Sequence, residues 1–207
     1  MTTFYLIRHG QNDYVGEGKL AGWTPGVHLN EQGKGQSQAL AALLSSVKFQ
    51  AIYTSPLERA HETALPLANS KKMEPIVREG LGEINCGTWT GKSLKSLRRR
   101  KLWPIIQSAP SRAAFPKGES FSDASARIVH ELELIRSSHP GRRTVVACVF
   151  HSDPIKLAIA HYIGLHIDLF QRIVIEPASF SILNISDHGV HLLRLNDTRA
   201  TNTPHQE

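Results

Sequence analysis

The chain has 207 residues, 41% of them hydrophobic and 20% charged, with 15 glycines and 11 prolines. That composition excludes a coiled coil, a collagen-like fibre and a disordered chain, and the length suits one domain with a sizeable core. The formal charge of +6 suits nucleic acid, a membrane surface or a small anionic substrate, without choosing among them.

The longest apolar run, residues 145–150, falls far short of the ~20 residues a membrane-spanning helix needs. The N-terminus lacks the basic start and apolar core of a signal peptide. Cys86 and Cys148 are too few for a disulfide scaffold or a four-cysteine zinc site, which points to a reduced, cytoplasmic protein.

In chain order, residues 4–8 read as a buried strand that stops at His9-Gly10. A glycine-rich, polar loop follows over 10–29. Asn30 then caps a helix with Ala39, Leu40, Leu43, Leu44 and Val47 on one face. Residues 51–54 form a second strand, running into Ser55-Pro56-Leu57-Glu58, where a capping serine, a proline and a glutamate three after the cap predict a helix start. Ile76 and Val77 mark a third short strand, before a glycine-rich stretch over 80–91.

Residues 92–142 show no strand pattern. A basic helix (93–102), a loop (104–118) and an amphipathic helix bearing Phe121, Ala124, Ile128, Leu132 and Ile135 suggest a helical insertion or lid. Residues 144–150 are a continuously apolar strand, the kind buried on both faces of a parallel sheet. His151 ends it, and Asp153-Pro154 caps a helix that Gly164 closes. Residues 172–175 and 180–185 read as strands, and Asp187-His188-Gly189 turns into another at 190–195. Residues 1–197 are expected to form the single domain, and 198–207 a frayed polar tail.

Strand–helix alternation with apolar central strands predicts an α/β fold, helices layered on both sides of a mostly parallel mixed sheet. Sites in such folds lie beyond the carboxyl ends of the strands. His9, Arg59 and His151 all fall there. Two histidines and two arginines near helix N-termini favour an anion, and a phosphate offers several oxygens for guanidinium groups to grip. The arginines also keep a neighbouring imidazole neutral and nucleophilic.

At these residues the chain resembles the histidine phosphatase superfamily, the phosphoglycerate-mutase-like group. The matching features are Leu6-Ile7-Arg8-His9-Gly10, Tyr53-Thr54-Ser55-Pro56-Leu57-Glu58-Arg59-Ala60 and the loop from Leu81 to Gly91 that carries Glu83, Gly87 and Trp89. Gly118-Glu119-Ser120-Phe121 and His151 after its apolar strand complete the set. The resemblance implies a three-layer α/β/α sandwich. It also implies His9 as the nucleophile that takes a phosphoryl group, with Arg8, Arg59 and His151 stabilising that group and Glu83 as general acid–base.

Asn12 stands where the family often has Thr or Ser and is expected to touch phosphate. Val15 stands where it often has Asn, a contact that Asn12 or Asn30 would have to replace. Gly22, Glu119 and Ser152 are candidates for the substrate side or lid. No metal and no cofactor are implied. The expected partners are a small phosphomonoester and its product, inorganic phosphate, with no membrane; a homo-oligomer stays open.

Competing patterns fit less well. Residues 87–93 nearly spell a phosphate-binding P-loop but have one residue too few between the glycines and no strand before them. A metal phosphoesterase built on His151 and Asp153 lacks an H-E-x-x-H or paired-carboxylate pattern. A nucleic-acid module on the basic run Arg98-Arg99-Arg100-Lys101 lacks interleaved aromatics. Within the family, the short length favours phosphatase over phosphoglycerate mutase, because a site open to water hydrolyses the phosphohistidine.

Overall fold

A computed structural model describes residues 1–141 and 143–201. Its centre is a six-stranded sheet. The first strand, β1 (Thr2–Arg8), delivers the chain to a single helical turn, α1 (Asp13–Gly16), and then to α2 (Glu31–Leu43). Next come β2 (Ala51–Thr54), α3 (Glu58–Lys71) and β3 (Ile76–Val77). Two short helices, α4 (Leu94–Leu97) and α5 (Leu102–Ser108), precede the long α6 (Phe121–Ser137). The chain re-enters the sheet as β4 (Thr144–Phe150), continues as α7 (Ser152–Tyr162) and ends in the hairpin β5 (Phe180–Ser186) and β6 (Gly189–Asp197).

The strand order is β3-β2-β4-β1-β5-β6. The first four run parallel, and β5 and β6 are added antiparallel. The two apolar faces of the sheet are covered separately. Ile7, Ile52, Ala147 and Val149 meet Leu40 of α2, Leu44 at its C-terminal cap, and Ala60, Ala64 and Leu67 of α3 on one side. Phe4, Leu6, Val146 and Cys148 meet Ile128, Leu132, Ile155 and Ile159 of α6 and α7 on the other. The expected three-layer α/β/α architecture is therefore present. Among the described residues no helix is long and apolar enough to cross a membrane.

Some local expectations are corrected. The basic helix expected over 93–102 is two helices: Ser93 caps α4, which ends at Leu97, and α5 starts at Leu102. Four consecutive cations at 98–101 repel along a helix, and Pro104 fits only a first turn, where no N–H is required. The helix expected from Ser55 begins three residues later, at Glu58, although the Ser55 hydroxyl oxygen still accepts from the Leu57 N–H at 3.3 Å. Residues 172–175 form no strand: Ile173 and Ile175 are buried while Val174 is exposed, but the Ile175 carbonyl accepts from the Arg8 guanidinium at 2.6 Å instead of from a neighbouring strand. The polar tail begins packed, with Ala200 buried against the α2–α3 side; residues 202–207 lie outside the described residues. Of the segment 92–142, α6 buries the apolar stripe expected of it and forms a layer beside α7.

Candidate active site

The carboxyl ends of β1, β2 and β4 open onto one cavity of about 140 Å³, lined by Arg8, His9, Asn12, Gly22, Arg59, Glu83 and Ser152 among others. The His9 backbone N–H continues the β1–β4 ladder by donating to Phe150 at 2.9 Å, and its carbonyl accepts from Ala178 at 3.1 Å. The residue is thus fixed although it lies past the strand. Its Nδ1 sits 2.8 Å from the Gly10 carbonyl. A carbonyl only accepts, so Nδ1 carries the proton and a neutral ring keeps its lone pair on Nε2. Burial, then Arg59 and Arg8, hold His9 well below the ordinary histidine value. The imidazole is therefore uncharged and bare at Nε2 at neutral pH.

Gly10 is needed where it stands. A Cβ there would meet the Gly33 carbonyl oxygen at 2.8 Å, and one on Gly33 would meet the Gln11 carbonyl oxygen at 2.1 Å. This backbone contact seats the His9 loop on the first turn of α2. The Gly10 N–H donates to Thr63 Oγ1 at 2.9 Å, which fixes the loop to α3 as well.

Arg59 occupies the first turn of α3 and is 1% exposed. One Nη donates to the Gly22 carbonyl at 2.8 Å, while Nε and the other Nη have no partner. A buried guanidinium without a carboxylate is costly unless an anion completes it. Arg8 Nε, Asn12 Nδ2 and His151 Nδ1 are buried and unpartnered in the same way. Among the described residues these five donors belong to four side chains around one site. Asn12 has its oxygen committed to the Val15 N–H at 3.0 Å, so its NH₂ is the end left over.

His151 is fully buried, its ring centroid 5.2 Å from that of His9. Burial, then Arg59 and His9, keep it well below its ordinary value and hence neutral. Glu83 places Oε2 3.9 Å from His151 Nδ1, and its Oε1 accepts from the Ile84 N–H at 2.9 Å. Burial, with the nearby Asp153 carboxylate second, pushes Glu83 up to about 7 against the opposing pull of Arg59 and Arg8. A carboxyl so placed is about half protonated at neutral pH, so it can give a proton and take one back.

The structure brings together Arg8, His9, Asn12, Gly22, Arg59, Glu83, His151 and Ser152. It does not bring Glu119 there: both its oxygens are gripped by Arg127, at 2.8 and 2.9 Å. Asn30 is also elsewhere, capping α2 through the Gly33 N–H, so it does not replace the contact that Val15 cannot make.

Four residues that sequence reasoning gave no role at the site matter to its geometry. Ser55 orients His151, Asp153 and Lys19 line the cavity, and Arg127 ties α6 to the carbonyls of Gly80, Gly82 and Glu83. Ser55 and Asp153 lie inside recognisable motifs and could have been suspected. Nothing around Arg127 signals its span of 44 residues back to Glu83. Among the described residues no three His, Cys, Asp or Glu side chains gather into a metal-binding group.

The model of the histidine phosphatase superfamily (branch 1) matches residues 4–198. Phosphoserine phosphatase 1 of Hydrogenobacter thermophilus is 29% identical over 203 residues, covering 96% of this chain and 93% of its own. Among solved structures, Bacillus stearothermophilus YhfR superposes with a TM-score of 0.89 at 27% identity, over 97% of this chain and all of that one. A phosphoserine phosphatase mutant from Entamoeba histolytica, solved in complex with phosphoserine, gives 0.86 at 25% identity, over 97% and 99% of the two chains.

Proposed function

The chain belongs to the histidine phosphatase superfamily, and on that premise we propose that it is a phosphomonoester hydrolase working through a phosphohistidine at His9. The observation that carries this reading is the convergence of five unpartnered buried donors on one site, four of them on side chains that line its cavity. They supply a preorganised cradle for a group bearing negative charge on several oxygens, the main requirement of phosphoryl transfer.

In the first step the Nε2 lone pair of His9 attacks phosphorus. The ester P–O bond breaks, and Glu83 transfers its proton to the departing oxygen. In the second step the Glu83 carboxylate takes a proton from a water molecule that attacks the phosphohistidine, the P–N bond breaks and inorganic phosphate forms. Arg8, Arg59, Asn12 and the His151 Nδ1–H hold the equatorial oxygens throughout. The Gly10 carbonyl stabilises the Nδ1–H of the ring while it carries the phosphoryl group. The guanidinium groups perform the charge neutralisation for which other phosphatases use metal ions, so the reaction is proposed to be metal-independent.

Residues 1–197 are proposed as one catalytic domain, with the segment carrying α4 and α5 as its lid. The two buried free cysteines suit a reducing compartment, the cytoplasm. A panel of phosphomonoesters assayed for phosphate release, with and without chelator, tests the reading. Release by the parent in chelator and none by His9→Ala is expected. Activity lost in chelator and restored by a divalent ion would overturn the mechanism.

A further inference from the structure

A second cavity, of about 530 Å³, adjoins the anion site. Arg8 and Val15 line both, so the two cavities are neighbours that share those side chains. The outer walls are polar: Gln36 of α2, Glu176 ahead of β5, and Thr198 and Thr201 beyond β6.

The hydrogen bonds already made fix what each wall offers. Gln36 Oε1 accepts from the Gln11 N–H at 2.9 Å, so its amide presents the NH₂. The Thr201 hydroxyl gives its proton to the Thr198 carbonyl at 2.8 Å and is left able only to accept. The Glu176 backbone N–H is held by Asn196 at 2.7 Å, while its carboxylate has no hydrogen-bond partner among the described residues. The lining therefore offers a donor at Gln36 and acceptors at Thr201 and Glu176, with one carboxylate and no cation but Arg8.

This is the wrong lining for a second anion, which would lie against Glu176. It is the right one for vicinal hydroxyls, each of which gives one hydrogen bond and takes another. The volume falls in the range of small-molecule pockets and exceeds the needs of a three-carbon acid.

We propose that this cavity receives a neutral, hydroxyl-rich leaving group, so that the substrate is a sugar or polyol phosphate. The proposal rests on the phosphatase reading and names the substrate class of that site. It is tested by calorimetric titration of His9→Ala protein, which cannot turn substrate over, with inorganic phosphate, glucose 6-phosphate, sorbitol 6-phosphate and 3-phosphoglycerate.

The sugar and polyol phosphates should bind at least about tenfold more tightly than inorganic phosphate. Adding Thr198→Val should reduce that advantage by about three- to tenfold, the effect of one lost hydrogen bond, and leave the affinity for inorganic phosphate unchanged. Glu176→Leu should also reduce the advantage while raising the affinity for inorganic phosphate itself, because its carboxylate acts on Arg8. Equal affinity for phosphate and its sugar esters would overturn the proposal. Tighter binding of phosphoglycerate than of the sugar phosphates, or variants that weaken every ligand alike, would do the same. Failure of inorganic phosphate itself to bind would instead strike the anion site, and both readings with it.

Discussion

The Ser55 hydroxyl lies 2.8 Å from His151 Nε2, and this contact decides which edge of the imidazole carries its proton. Ser55 Oγ also accepts from the Leu57 N–H at 3.3 Å, and we infer that its own hydrogen points at Nε2, the arrangement that leaves an N–H on Nδ1 for an anion. His151 is then protonated at Nδ1, the nitrogen without a partner that faces Glu83. The hydroxyl expected to cap a helix thus sets a tautomer.

Ser55→Ala removes that restraint. Nitrogen NMR of the parent should show His151 protonated at Nδ1, and the variant should show mixed tautomers. The kcat of the variant should fall by about tenfold or more, the worth of one misdirected donor in a dry site, with a smaller change in KM. An unchanged tautomer and unchanged kcat would remove Ser55 from the catalytic arrangement.

Glu83→Gln keeps the shape of the acid and removes its proton. Turnover of alkyl phosphates should drop by about 10²-fold or more, because their leaving oxygen needs that proton. Nitrophenyl phosphate should suffer much less in its phosphorylation step. In the parent, kcat/KM for an alkyl ester should decline as pH rises through about 7, where the free enzyme loses the Glu83 proton. Equal losses across leaving groups, with phosphorylation rate-limiting, would argue against Glu83 as the acid.

The same group marks the stability profile. Its folded value of about 7 exceeds its ordinary 4.5, so between those pH values the folded protein binds the extra proton and loses stability as pH rises. The neutral histidines act oppositely: their contribution is lost as pH falls below their ordinary 6.5, equally in parent and variant. The stability of Glu83→Gln relative to parent should therefore increase from pH 5 to 8 by ~1–3 kcal/mol, measured by urea unfolding. A constant difference would mean that Glu83 is not held protonated.

What could be read before the fold was known follows the range of the interactions involved. The strands at β1 and β4 were legible because both faces of each are buried, which leaves an unbroken apolar run, and the histidine after each marks where burial gives way to chemistry. The roles of Arg8, His9, Arg59 and Glu83 came from motif resemblance, since a single arginine or glutamate has no pattern of its own. Glu119 lies outside the His9 cavity, because the Arg127 fork that grips it comes from tertiary packing of α6, which the sequence around Glu119 does not signal. Ser55 fits a helix-capping pattern and does accept from the Leu57 N–H, but its bond to His151, 96 residues on, has no local signal. The break between α4 and α5 follows from Pro104 and the run of like charges, which helical spacing alone does not register.

The basic run Arg98-Arg99-Arg100-Lys101 is exposed, in and around the turn between α4 and α5. Its field should steer anionic substrates. Reversing the three arginines to glutamate should lower kcat/KM several-fold at low salt, with kcat little changed. The deficit should fade toward ~0.5 M salt, where screening acts over a few ångströms. Tight binding of mixed RNA that persists in His9→Ala and vanishes in the triple variant would instead assign the run to nucleic acid.

The most direct measurement is rapid quenching, without acid, of the protein mixed with a ³²P-labelled monoester, followed by mapping of the labelled residue. One phosphoryl group should appear on His9 within a single turnover, stable in base and labile in acid, and His9→Ala should show neither label nor turnover. Turnover with no covalent label when hydrolysis of the intermediate is rate-limiting, or label on any residue other than His9, would contradict covalent catalysis at that histidine.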